Sequence, residues 1–119
     1  MSLYESGEMY LETILVLSNE KPHVRSIDVA EHMNFSKPSV SRAMGKLKED
    51  KLISIDKDGY ITLTKKGQEV ANKVYDRHNL LTGLLLQAGV PKDIAEADAC
   101  RMEHVVSDET IETLRKYLK

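Results

Sequence analysis

The chain has 119 residues, 41% of them hydrophobic and 30% charged, with a net charge of −2. That is one ordinary domain or two small ones, with enough apolar content to bury a core. No run of about 18 apolar residues occurs, so no membrane span is expected. A single cysteine, Cys100, excludes an internal disulfide, and the start MSLYESGEMYLETILVL carries Glu5, Glu8 and Glu12 without the basic region of a secretory leader. A cytoplasmic protein is expected.

In chain order, GEMYLETILVLSNE has Tyr10, Leu11, Ile14, Leu15 and Leu17 at helical spacing and is broken by Pro22. RSIDVAEHMNF follows, with Ser26 as the expected N-cap and Ile27, Val29, Ala30 and Met33 as its apolar stripe. A four-residue turn, Asn34 to Lys37, leads into a third helix capped by Ser36, with Pro38 in its first turn and Val40, Met44, Leu47 and Leu52 facing a core. The period then switches to two. Ile53 and Ile55, then Ile61 and Leu63, flank DKDG, which predicts a β-hairpin with Gly59 in the left-handed position. Thr64 caps a long helix that ends at Gly89; Pro91 opens another, PKDIAEADACRMEHV; and Ser107 caps the last, SDETIETLRKYL.

The fold expected is mostly α with a small β-hairpin wing: a winged helix-turn-helix over residues 1–72, then an all-α domain over residues 73–119. Between Lys37 and Lys73 nine basic residues face five acids, so this window is +4 and the remainder −6. A basic middle suits an anionic partner, although a solvated mixed-charge surface gives the same count. The third helix opens with Ser36, Lys37, Pro38, Ser39, Ser41 and Arg42, the short polar groups and cations that a recognition helix presents to the major groove. Arg42 can pair with a guanine edge, while Lys37, Lys46 and Lys48 suit phosphates. The wing tip is a weaker DNA candidate, because Asp56 and Asp58 oppose phosphate. The bland alternative is that the serines only cap and the lysines only solubilise, since winged helices also serve as protein-interaction modules.

The stretch DACRMEH sets Cys100, Glu103 and His104 at i, i+3 and i+4. On a helix these side chains share a face, and a thiolate, a carboxylate and an imidazole together can hold a divalent transition metal. A lone cysteine is more often a small core residue. A Cys/His nucleophile would need an orienting group and an oxyanion pocket, of which there is no sign, so no enzyme and no small-molecule substrate are expected. Met9, Glu12, His78 and Glu96 are further donors, each with an ordinary structural explanation when taken singly.

Four segments, GEMYLETILVL, SVSRAMGKLKEDKLI, LTKKGQEVANKVYDRHNLL and EADACRMEHVVSDE, resemble the diphtheria toxin repressor family of iron- and manganese-dependent bacterial repressors, over about Tyr4 to Leu118. The resemblance implies a principal metal site of Met9, Cys100, Glu103 and His104, as in the iron-responsive branch. For a second site it implies His78, but Thr82 stands where that branch has an acid and Glu96 where it has a histidine. The manganese branch replaces the Met and the Cys by carboxylates, which this chain does not do, yet Glu12 matches a carboxylate ligand of that branch. His78 with Glu12, Glu96 and Glu103 is therefore the expected second set. Thioether and thiolate are soft donors, which tilts the principal site toward Fe²⁺ over Mn²⁺, with Ni²⁺, Co²⁺ and Zn²⁺ able to substitute in vitro. The resemblance further implies a homodimer held by the helices after about Lys73, operator DNA as partner, and a metal that ties the two domains together and switches repression on. Iron-branch members often carry a further β-barrel domain, so the chain is expected to be either a two-domain member or part of a longer protein.

Overall fold

The computed structural model describes residues 3–118, with side chains described from Gly7 onward. The elements run α1 (Leu3–Glu20), α2 (Ser26–Met33), α3 (Lys37–Glu49), β1 (Ile53–Ile55), β2 (Ile61–Leu63), α4 (Lys65–Gln87), α5 (Lys92–Met102) and α6 (Asp108–Tyr117). The chain divides into two compact units after Asn72, within α4.

In the first unit, Leu11, Ile14, Val29, Val40, Met44, Ile53 and Ile61 belong to one buried apolar cluster fed by α1, α2, α3, both strands and, through Ala71, the start of α4. Helical spacing on α1 and α3 and the alternation on each strand put these residues on the inner faces. The turn from α2 to α3 is tight because Asn34 adopts the left-handed conformation, φ 59°, and donates its N–H to Ala30 O. Lys37 is already helical and Ser36 is the cap, so this turn is shorter by one residue than the spacing predicts. The cap of α2 also moves: Arg25, not Ser26, holds it, because the Asp28 carboxylate reaches back to the Arg25 N–H at 2.8 Å.

β1 and β2 pair antiparallel with Ile53 opposite Leu63 and Ile55 opposite Ile61. At their turn Gly59 has φ 82°, as DKDG predicts, and Asp56 Oδ1 accepts from the N–H groups of Asp58 (2.9 Å) and Tyr60 (3.0 Å). Thr64 caps α4 by accepting from the Gly67 N–H at 3.1 Å, and its own hydroxyl donates to Lys51 O at 2.7 Å. Gly67 is required here: a Cβ on it would lie 1.9 Å from Leu52 O.

The second unit comprises the rest of α4 with α5 and α6. Its buried cluster is Leu81, Ala99 and Ile111, flanked by Leu80, Leu85, Met102, Val106 and Leu114. Ser107 caps α6, accepting from the Thr110 N–H at 3.1 Å. Gly89, φ 100°, follows α4. Among the described residues, no helix is long and apolar enough to cross a membrane.

Candidate metal centre and nucleic-acid interface

α3 turns Val40, Met44 and Leu47 into the core, which leaves Lys37, Pro38, Ser41, Arg42, Lys46 and Lys48 exposed. Ser36 Oγ accepts from the Ser39 N–H at 3.3 Å and donates to Ser39 Oγ at 2.8 Å, while Arg42 Nη2 reaches Ser39 Oγ at 3.5 Å. The expected polar face of Ser36, Ser39 and Arg42 is thus formed and already hydrogen-bonded along its length. Lys46 pairs with Asp50 at 3.4 Å on the exposed side, which tempers its charge.

The wing is anchored by contacts that periodicity does not reveal. Ile61 N–H donates to Val24 O at 2.7 Å, so β2 also bonds to the connection between α1 and α2. The Tyr60 ring stacks on His23, with centroids 4.2 Å apart and planes 9° from parallel. Arg25 lies 4.9 Å from the same ring centroid and donates to Tyr60 Oη at 3.3 Å. Lys21 and the Arg25 N–H hold the Asp28 carboxyl below its ordinary range, Lys21 first.

In the second unit α4 carries His78, whose Nδ1 lies 2.8 Å from Glu103 Oε2. Glu103 is wholly buried, and His104 Nε2, its side chain only 4% exposed, lies 3.4 Å from Glu103 Oε1. A buried carboxylate needs compensating positive charge, and imidazole and carboxylate are suitable ligands for divalent transition metals, so this donor set fits such an ion. The spacing predicts Cys100, Glu103 and His104 on one helix, but α5 ends at Met102: Glu103 is its C-cap residue and His104 sits in the turn beyond. Cys100 is half-buried on α5, and among the described residues it joins no set of three His, Cys, Asp or Glu ligand atoms within 4.8 Å of one another. Glu96 is exposed on α5, whereas Met9 and Glu12 are half-buried on α1. Thr82, one turn after His78, has a buried hydroxyl without a hydrogen-bond partner among the described residues.

The turn that carries Glu103 and His104 is gripped from α4. Arg77 Nη1 donates to Glu103 O at 3.1 Å and to Val106 O at 2.8 Å, and Nη2 pairs with Asp108. Lys73, 3.1 Å from Asp108, and then Arg77 hold that carboxyl below the usual range.

Residues 2–68 match the family model described as the iron dependent repressor, N-terminal DNA binding domain, and residues 64–119 match that of its metal binding and dimerisation domain. The chain belongs to the iron-dependent repressor family. The iron-dependent repressor IdeR of Mycobacterium tuberculosis is 35% identical over 117 residues, covering 98% of this chain and 51% of that protein. The transcriptional regulator MntR of Escherichia coli O157:H7 is 33% identical over 108 residues, 91% of this chain and 70% of the relative. A structure of the manganese regulator SloR superposes with a TM-score of 0.83 at 35% identity, covering 94% of this chain and 53% of that one. The chain therefore spans about half the length of its iron-dependent relatives. Membership of this metal-dependent repressor family accords with the winged helix; iron and manganese regulators are both among the relatives. Arg77, and His23 and Arg25 beside the wing-tip Tyr60, make contacts that the sequence alone does not indicate. The one local signal for Arg77 is its place directly before His78.

Proposed function

We propose that the chain acts as a metal-activated transcriptional repressor that binds operator DNA as a homodimer when loaded with Fe²⁺. The observation that carries the reading is the wholly buried Glu103 with His78 Nδ1 at 2.8 Å and His104 beside it. Cys100, Glu103 and His104 are the proposed principal ligands from the second unit, and His78, Glu96 and Glu103 the proposed second set. Met9 and Glu12, on α1, are assigned by family resemblance alone. A bound divalent cation would take the Glu103 carboxylate and the neighbouring imidazoles as ligands. α3, with exposed Arg42 and half-buried Ser39, is the proposed base-reading element, and Lys37, Lys46 and Lys48 the phosphate contacts. Tyr75, Leu86, Ile94, Val105 and Tyr117, exposed in the second unit, supply apolar surface for the proposed dimer.

The preference for iron rests on the soft donors Met9 and Cys100. A manganese-responsive regulator is the second reading, favoured by the contact of His78 with Glu103, nitrogen and oxygen donors, while among the described residues Cys100 joins no group of three such ligand atoms. A DNA mobility-shift titration with Fe²⁺ under anaerobic conditions, with Mn²⁺, and with chelator tests both. DNA binding is expected only with metal, and equal binding in chelator would sink the proposal. Cys100→Ala is expected to weaken the Fe²⁺ response more than the Mn²⁺ response; equal losses would count for the manganese reading.

A further inference from the structure

Arg77 uses one nitrogen to bond two main-chain carbonyls, Glu103 O at 3.1 Å and Val106 O at 2.8 Å, while its other terminal nitrogen pairs with Asp108. Its side chain is only 12% exposed, against 70% for Asp108, so the carbonyl bonds are the sheltered part of the network. These charge-assisted bonds tie down the three-residue step from Glu103 to Val106 from both ends, and His104 lies inside that step. The Glu103 carbonyl belongs to the end of α5, where the helix dipole is negative and a guanidinium is favoured, while Val106 lies just before the Ser107 cap of α6. His78, the next residue on α4, touches the Glu103 carboxylate. Consecutive residues of one helix thus hold Glu103, Arg77 through its main chain and His78 through its side chain.

The geometry points to Arg77 as the positioning residue of the metal centre: it fixes the backbone between Glu103 and Val106 so that Glu103 and His104 present their donors to the ion. The inference rests on the metal reading above. Groups that orient metal ligands from outside typically change affinity by roughly 10–100-fold when removed. A lysine offers an ammonium point charge in place of a planar fork and recovers only part of the two-carbonyl grip.

The test is a Co²⁺ titration of the full chain, followed by the visible absorption of the bound ion, which reports ligand geometry as well as affinity. Arg77→Ala is expected to weaken Co²⁺ binding by about 10–100-fold and to change the spectrum. Arg77→Lys should fall between it and the wild type. Asp108→Asn, which removes the paired anion but leaves both carbonyl bonds available, should keep the wild-type spectrum. If Arg77→Ala retains the wild-type affinity and spectrum, Arg77 does not position the ligands. A loss of equal size in Asp108→Asn would also overturn the inference, because the ion pair and not the carbonyl grip would then matter. Should Arg77→Ala fail to fold, Arg77→Lys decides: a wild-type spectrum and affinity there counts against the two-carbonyl grip. A wild-type chain that takes up no Co²⁺ overturns the metal reading itself, an outcome distinct from unaltered binding in the variants.

Discussion

The two units are held together by different means. In the first, α1, α2, α3, both strands and Ala71 of α4 contribute to one broad apolar cluster. In the second, the buried cluster among the described residues is Leu81, Ala99 and Ile111. Around it, Arg77 and Lys73 pair with Asp108, and Arg115 with Asp76. Among the described residues, most of the large apolar side chains left exposed are in the second unit: Tyr75, Leu86, Ile94, Val105 and Tyr117, against Phe35 in the first. Burial of apolar area stabilises in proportion to the area removed from water, whereas exposed ion pairs contribute little each. Apolar burial therefore carries more of the first unit's stability, while in the second a smaller cluster is flanked by ion pairs.

The largest expected effect tests the rigidity of the first unit. Gly67→Ala would drive a Cβ to 1.9 Å from Leu52 O, a backbone obstacle that cannot rotate away. A loss of about 3 kcal/mol or more is expected in denaturant unfolding, at the upper end of overpacking costs. Next, Leu81→Ala removes the largest fully buried side chain of the smaller cluster and is expected to cost about 2–5 kcal/mol. Hydrogen exchange should then lose protection in α5 and α6 while α2 and α3 keep theirs. Loss spread evenly over both units would erase the contrast. The smallest effect concerns acid. Asp28 has its folded pKa lowered, by Lys21 first and then the Arg25 N–H, so its contribution is present above the unfolded value near 4 and is lost as pH falls through the lower folded value. Lys21 is shifted up by the same pair, so its share is lost only as pH rises above the ordinary lysine range. Asp28→Asn should therefore be less stable than the wild type near neutral pH, with the gap closing below about pH 4; a gap independent of pH would remove the ion pair from the account.

Features written in local chemistry were legible beforehand. Ser36 and Ser107 cap because their hydroxyls reach the N–H three residues on, and Gly59 takes the left-handed position that DKDG calls for. The α2 cap lies one residue before the Ser26 that the pattern indicates, since the Asp28 carboxylate accepts from the Arg25 N–H. The end of α5 differs from the pattern for another reason. Nothing near Met102 in the pattern stops a helix, but Arg77, 26 and 29 positions away in sequence, takes the carbonyls of Glu103 and Val106. The same separation hid the stack of His23 on Tyr60, whose partners meet only because β2 bonds to Val24. For the candidate metal centre, residue type indicated Glu103, His104 and His78 as donors, while the contact between His78 and Glu103 required the tertiary fold.

The turn at the wing tip takes its shape from Asp56 and Gly59: one carboxylate oxygen gathers two main-chain N–H groups, and one glycine supplies the reversed backbone. Neither Lys57 nor the side chain of Asp58 is used to make that shape. Backbone form and side-chain charge are thus separable here, and the charge of the loop can be rewritten, by Asp58→Lys for instance, as an adjustable dial on attraction to a polyanion at little cost in folding. Selection has the same freedom, and related regulators with this turn could diverge in electrostatic reach while keeping one hairpin.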